Sequence, residues 1–556
     1  MASDSETEGQ QGLRDDEPPT YETDFKPMPR RQVVFTMGGL MLALFLAALD
    51  QTVVSTAMPR IIADLGGFDR FTWVTTSYLV ASTTAVPIVG RLSDLYGRKA
   101  FFLGGIIVFL VGSVLAGASQ TMNQLIFFRA IQGIGGGSVM ALSFASVGDL
   151  FPPAERGKYQ GIVAGVFGLS SVIGPTLGGF ITDNLSWNWV FYINVPLTLI
   201  VIGLFIRFFP NIRPERLAQR LDYAGMALLV LIVVPLLVGL SLGGVHIEWL
   251  SFQVLGILIF AAIITVIFIA VEQRADEPIM PLSIYSNRVV SVSLIAVFVT
   301  GFGMFGAIIF VPLYFQGVLG ASATSSGSFL TPMMLSMVVT ATLAGQTLSR
   351  FGGHYRIQGL IGIAIMGGGM VLMSRMTADT SFAQAVASIV IMGLGLGITF
   401  PSFTISVQNA VPHNLLGAVT SATQFYRSVG GSLGLAVLGS YMASRFAAGL
   451  GDSLPSEVRE ALPEEQLAEM SNNPQALVNP EALEGLKTSL SGGGEQGTEV
   501  LSVLLTTLRE TLASAISDVF ILATATLVVG FVATLFLKEV PLRTRAGRSS
   551  ARGSEE

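Results

Sequence analysis

Apolar residues along this chain gather into runs of about twenty or more, with polar residues confined to short turns between them. A run of that length crosses the roughly 30 Å hydrocarbon layer of a bilayer as a helix. Fourteen such runs can be counted. Six lie near 33–58, 72–92, 101–118, 124–148, 159–181 and 188–208, and a pair follows near 223–242 and 252–271. Six more lie near 289–315, 325–347, 357–375, 382–405, 416–443 and 514–537. The pattern predicts an all-α, polytopic membrane protein of about 14 transmembrane helices, two six-helix halves with an inserted helix pair. On this reading 1–32 is a disordered cytoplasmic tail and 33–208 the N-terminal half. The inserted pair with its linkers covers 209–288, the C-terminal half 289–538, and a basic cytoplasmic tail 539–556.

Basic residues set the orientation. Lys26, Arg30 and Arg31 precede the first run. Every second loop after it is basic: Arg91, Arg98 and Lys99; Arg156 and Lys158; Arg207, Arg213, Arg216 and Arg220; Arg274 and Arg288; Arg350 and Arg356. Lys538, Arg543, Arg545, Arg548 and Arg552 follow the last run. The intervening loops hold little beyond Arg60, Arg70 and Arg375. The bias puts the basic loops and both termini in the cytoplasm of a cell-membrane protein. One outer loop, 445–513, is long and carries Glu457, Glu460, Glu464, Glu465 and Glu469. It reads either as short amphipathic helices on the outer face or as a solvated spacer.

Composition narrows the function classes. Charged residues are 12% of the chain against about 25% in soluble domains. The chain contains no cysteine, which removes disulfides, thiolate metal sites and cysteine nucleophiles. His246, His354 and His413 are scattered, so neither a metal nor any other cofactor is expected. Two enzyme-like strings, GFGMFG at Gly301 to Gly306 and GGSLG at Gly430 to Gly434, fall inside apolar runs and lack the strand that each motif needs. No phosphate-cradling G-x-x-x-x-G-K-[ST] string occurs, and nothing suggests nucleic-acid binding.

The turn GRLSDLYGRK, Gly90 to Lys99, is the most specific motif. Its two glycines permit a sharp turn and close backbone approach. Through Gly90, Leu92, Asp94, Gly97, Arg98 and Lys99 it resembles the signature loop between spans two and three of the major facilitator superfamily of secondary transporters. Gly345 to Arg356, GQTLSRFGGHYR, occupies a like place in the second half. LDQTVVSTAMPRIIADLG (Leu49 to Gly66), LIFFRAIQG (Leu125 to Gly133), GLSSVIGPTLGG (Gly168 to Gly179), WNWVFYINVP (Trp187 to Pro196) and PLYFQGVLGASATSSG (Pro312 to Gly327) narrow the likeness. Together they look like the fourteen-span drug:proton antiporter branch over roughly 33–540. That resemblance implies a proton-coupled multidrug exporter working by alternating access on lipophilic small molecules, among membrane lipids, with a monomer the expected state. The GLSSVIGPTLGG element marks exporters in that family.

Charges deep in a span are costly and seldom kept without use. Asp50 is the only acid well inside a run, and Arg129 and Arg427 are the deep bases. Counting rise per residue puts Asp50 and Arg129 at similar depth. They read either as the proton-coupling pair or as a fixed structural pair. A carboxyl that faces a cation in one state and a dry cavity in another exchanges its proton as the surroundings alternate. Gln132, Gly133 and Gly136 share the face of Arg129 and either line a cavity or pack. Gln424 and Arg427 read as substrate-cavity residues or as buried structural ones. No second-half span carries an acid well inside it, unlike the best-known polyspecific cation exporters of the branch, and neutral or singly charged lipophiles fit better. Gating is assigned to Gly90, Asp94, Gly97, Arg98 and Lys99, with Asp149 as a partner, and to the seam of Gly168, Gly174, Gly178 and Gly179 around the kink-permitting Pro175. In the family, contacts such as Asp94 and Arg98 with Asp149 latch the outward-open state; a static loop anchor is the other reading. Two further functions stay open: export of one dedicated metabolite or lipid, and a non-transporting envelope accessory that binds a partner through its outer loop.

Overall fold

Each polar turn in the sequence becomes a helix boundary, because the first and last turns of a helix need partners for their free N–H and C=O groups. The computed structural model describes residues 29–67, 70–211, 221–243, 247–320, 323–350, 353–455, 458–459 and 494–542. The first half holds α1 (Arg30–Leu65), α2 (Thr72–Tyr96), α3 (Arg98–Gly117), α4 (Met122–Leu150), α5 (Pro153–Asn184), the single turn α6 (Trp189–Tyr192) and α7 (Asn194–Phe208). The inserted pair is α8 (Tyr223–Leu242) and α9 (Phe252–Glu272). The second half comprises the short α10 (Ser283–Ser286), then α11 (Arg288–Gly317), α12 (Ala323–Arg350), α13 (Tyr355–Met373), α14 (Phe382–Asn409), α15 (Leu416–Ser453) and α16 (Gly494–Leu535).

Side-chain caps stand at several helix starts. The Thr121, Asp222, Ser251 and Asn287 side chains accept N–H groups at the starts of α4, α8, α9 and α11. Ser381 and Gln384 form a reciprocal capping box at the start of α14. Twelve of the described helices are long and apolar enough to cross a membrane. Of the fourteen predicted spans, α2 and α12 fall outside that group. Both are rich in Ser and Thr, which lowers their hydropathy: α2 lies against α4, and α12 lies against α5 and α14 while Leu335, Val339 and Leu343 face outward. The outer loop is shorter than expected. α15 continues to Ser453 and α16 begins at Gly494, because the helices extend past the apolar stretch. Glu457, Glu460, Glu464, Glu465 and Glu469 lie outside the described residues.

Apolar clusters follow the two halves. Residues of α1 to α7 make two cores, joined from the second half only by Phe400. α11 to α16 build a larger one. α8 and α9 pack against both halves through a cluster that includes Val80 of α2 and Ala436 of α15. Side chains such as Ile259, Val266 and Phe180 face outward as a lipid surface.

Hydrophobicity cannot draw helices together inside lipid, so close packing of small residues does. The closest approach between the halves is where α5 meets α12. Gly157 and Gly345 oppose each other there, and a Cβ on either would enter the backbone of the other. Gly161 packs on Thr342, and Gly168 on Val338 and Met334, further along the same seam. This seam lies at the end of the bundle that carries Arg98, Lys99, Arg156 and Arg350, called here the basic face. A bulky side chain at position 157 is an overpacking change, costing about 1–3 kcal/mol. We expect Gly157→Val to push the basic ends of α5 and α12 apart. The chain has no cysteine, so spin labels on Lys158→Cys and Arg350→Cys report that distance cleanly. A spread that stays at the wild-type value would show that this contact does not hold the basic face shut.

Candidate functional site

A buried polar cluster sits where α1, α3, α4 and α7 converge. Asp50 of α1 is 1% exposed and forms an ion pair with Arg129 Nη1 of α4. Gln132, one turn along α4 from Arg129, donates from Nε2 to Asp50 Oδ1 at 2.7 Å and accepts from Arg129 Nη1 at 2.8 Å. Asn194 of α7 donates to Asp50 Oδ1 at 3.0 Å and to Ser113 Oγ of α3 at 3.0 Å. The guanidinium lies over the Tyr78 ring, 4.4 Å from its centroid, and its Nε donates to the Val74 carbonyl at 3.4 Å. A charge in an apolar interior needs its opposite and hydrogen bonds for its remaining lone pairs. Here both carboxylate oxygens are occupied.

The sequence left Gln132 either to line a cavity or to pack. It is fully buried and spent on Asp50 and Arg129, so it belongs to this cluster and does not open onto a cavity. Gly133 and Gly136 pack against Tyr78. Asn194, Ser113 and Tyr78 were missed. Asn194 stood within the WNWVFYINVP stretch, but nothing in a linear sequence points an amide of α7 at a carboxylate of α1.

At the basic face, a second cluster ties the halves. Gly97 takes φ 100°, a conformation that favours glycine, and so lets α2 turn directly into α3. Arg98 then reaches Asp94 at 2.7 Å and Asp149 of α4 at 2.5 Å, and donates to Ser93 Oγ at 2.6 Å. Asp94 also accepts the backbone N–H groups of Gly417 at 3.0 Å and Ala418 at 2.8 Å, in the first turn of α15. A carboxylate at a helix N-terminus is favoured by the free N–H groups and the helix dipole. Gly90 makes room for the approach: any side chain there would collide with Ser421 of α15. Lys99 caps α7 through the Ile206 and Phe209 carbonyls, at 2.9 and 3.1 Å.

Arg91, noticed in the sequence only as a topology signal, joins three parts of the chain. It reaches Glu277 at 2.8 Å and the Pro278 carbonyl at 3.1 Å, after the inserted pair, and the Asn414 carbonyl at 3.5 Å before α15.

The expected α5 seam divides between two neighbours. Gly174 and Gly178 face Thr52 and Thr56 of α1, and Thr52 donates to the Ser170 carbonyl at 3.2 Å. Gly179, about 100° further round the helix, has no neighbour within 4 Å. α5 passes through Pro175 as one continuous helix. Gln424 and Arg427 are buried in α15 near the meeting of α4 and α14, with Arg427 over the Phe400 ring at 3.7 Å. No group of three or more His, Cys, Asp or Glu placed to hold a metal occurs among the described residues.

Residues 40–435 match the Major Facilitator Superfamily. The chain belongs to the major facilitator superfamily. Members are transporters rather than enzymes, and so is this chain. It is 40% identical over 518 residues to the multidrug transporter protein MdtP of Bacillus subtilis, covering 91% of this chain and 93% of that one. It is 38% identical to multidrug resistance protein 3 of the same organism, covering 92% and 96%. The crystal structure of the human organic anion transporter MFSD10 superposes with TM-score 0.58 at 14% identity, over 90% of this chain and all of that one; at that identity the likeness concerns the fold. Two helical halves face each other across a central interface; the Asp50 cluster lies within the first half, and the Asp94 cluster reaches across to α15.

Removing the Asp50 charge strands Arg129 in the interior, a loss of about 3–5 kcal/mol. Asp50→Asn is expected to lower the melting temperature of the purified superfamily member, and Asp50→Asn with Arg129→Gln to recover much of the loss. Equal losses for the single and the double variant, measured by thermal unfolding in detergent, would mean that the ion pair is not what holds the cluster.

Proposed function

We propose that this chain is a proton-coupled multidrug exporter that moves lipophilic small molecules outward by alternating access. The observation that carries the reading is the Asp50–Arg129–Gln132 cluster: a carboxylate sealed from solvent, whose partners come from separate helices of the first half. Its named relatives, multidrug transporters matched over nearly their whole length, support the substrate class.

The cycle follows from the charge balance. A proton taken up by Asp50 cancels the attraction that holds Arg129 and frees the helices joined there. Release of the proton to the other side restores the pair. The basic face is assigned to the cytoplasm, with both chain ends there and the protein in the cell membrane. In that orientation the Asp94–Arg98–Asp149 cluster, with Gly90 against α15 and Gly157 against Gly345, closes the cytoplasmic side, and the conformation described is the outward-facing one. Gly174, Gly178 and Pro175 then form the outer part of α5 that moves against α1. The working unit is a monomer surrounded by lipid.

One proton moving down about 100 mV and one pH unit releases roughly 3.7 kcal/mol, enough to hold a substrate gradient of some hundreds-fold. In proteoliposomes with an imposed pH gradient, the wild type is expected to export ethidium, a singly charged lipophilic dye, and Asp50→Asn to lose the gradient-driven part. Gradient-driven export that persists in Asp50→Asn would move the coupling site elsewhere. Absence of dye movement in the wild type would favour a dedicated metabolite or lipid as substrate.

A further inference from the structure

Of the five buried arginines among the described residues, four meet an oxygen. Arg91 pairs with Glu277, Arg98 with Asp94 and Asp149, and Arg129 with Asp50, and Arg156 donates to the Gly148 and Phe151 carbonyls. Arg427 is the fifth. It is 6% exposed, and its side chain makes no ion pair or hydrogen bond to any described residue; Nε is fully enclosed without an acceptor. Its one contact of note is the face of Phe400. A ring face offsets only a small part of what burying a guanidinium costs. Gln424, one turn earlier on the same side of α15 and 5% exposed, likewise makes no hydrogen bond to a described residue.

The position is informative. Arg427 lies eleven residues into α15, about 16 Å from its basic end and so near the middle of a 30 Å layer. Phe400 of α14 packs on Phe144 of α4, 5.7 Å between ring centroids, across the interface of the two halves. Transporters built from repeats bind substrate at that depth and that interface. A cation without an anion there is half of an ion pair.

We propose that Arg427 seats one anionic group, a carboxylate or sulfonate, of a lipophilic export substrate. Gln424 donates a further hydrogen bond to it, and the aromatic wall of Phe400 and Phe144 lies alongside the apolar body. The assignment rests on the export reading for its place in the transport path. It names amphiphilic monoanions as a substrate class. Exchange of such an anion outward for one proton inward moves two charges per cycle, so a membrane potential negative inside accelerates it. An anionic lipid headgroup or a small inorganic ion offers the same charge, and the experiment separates those sources.

The test uses the full chain in nanodiscs of phosphatidylcholine alone, with 1-pyrenebutyrate and its neutral methyl ester as fluorescent probes. The wild type is expected to bind the acid more tightly than the ester. Arg427→Gln should weaken the acid about ten- to hundred-fold relative to the ester, as for loss of a charged hydrogen bond, and Arg427→Lys should recover part of it. Equal affinity of the wild type for acid and ester, or equal weakening of both by Arg427→Gln, would overturn the proposal. Butyrate, chloride or added phosphatidylglycerol displacing the probe as effectively as unlabelled pyrenebutyrate would overturn it too, in favour of a small-ion or lipid site. Ethidium and pyrenebutyrate movement by wild-type proteoliposomes is followed in parallel. Arg427-dependent binding with no movement of either probe would sink the export reading and leave the anion seat; ethidium export with charge-blind pyrenebutyrate binding would do the reverse.

Discussion

An ionised side chain inside hydrocarbon must meet its opposite or be kept for use, and this constraint organises the interior of the molecule. Asp50 and Arg129 satisfy each other so fully that no lone oxygen of the carboxylate is left open. The pair joins α1 to α4 and is held from α2 by the Val74 carbonyl and the Tyr78 ring and from α7 by Asn194, which Ser113 of α3 holds in turn. Elsewhere lipid supplies no hydrophobic drive, and helices approach closely where glycines meet a neighbour's backbone, hydroxyl or apolar side chain. The charged cluster supplies direction and the glycines supply proximity.

Two helices, α2 and α4, touch both polar clusters, α4 through Arg129 and Asp149. Near its start α2 offers the Val74 carbonyl and the Tyr78 ring to Arg129. Sixteen residues beyond Tyr78, about 24 Å along the axis, the same helix presents Asp94 to the first turn of α15. A change in how Arg129 is held therefore bears on a helix whose other end closes the basic face. Between these ends Arg91 adds the chain that follows the inserted pair, through Glu277 and Pro278. The segment after the inserted helices is tied to the basic face by this arginine, and the pair itself packs on α2 and α15 through apolar side chains.

Much of this was legible in order along the chain. Run length predicted the helices, and Ser251 and Ser381 cap helices that begin where the runs near 252 and 382 begin. The GRLSDLYGRK motif pointed to the family before any contact was known. Depth could be counted, so Asp50 and Arg129 were matched in height at 1.5 Å per residue. Lateral position could not, and the misses share that cause. Gln132 was left between lining a cavity and packing because its helix face was known but not what stood opposite. Gly179 was grouped with Gly178 though the two point about 100° apart. Asn194 and Tyr78 had no local signal, since each matters only through a residue more than fifty positions away.

By itself, then, the sequence determined the class of the protein, its helices, their alternating direction and the few charges that had to be dealt with, because hydrocarbon thickness and the price of a buried charge act on each segment separately. Tertiary structure alone decided which charges meet. Arg129 found Asp50 and Gln132, Arg98 found two carboxylates, and Arg427, no less deep, found among the described residues only a ring. Partnership between helices depends on how they are arranged around one another, and no spacing along a single helix encodes that arrangement.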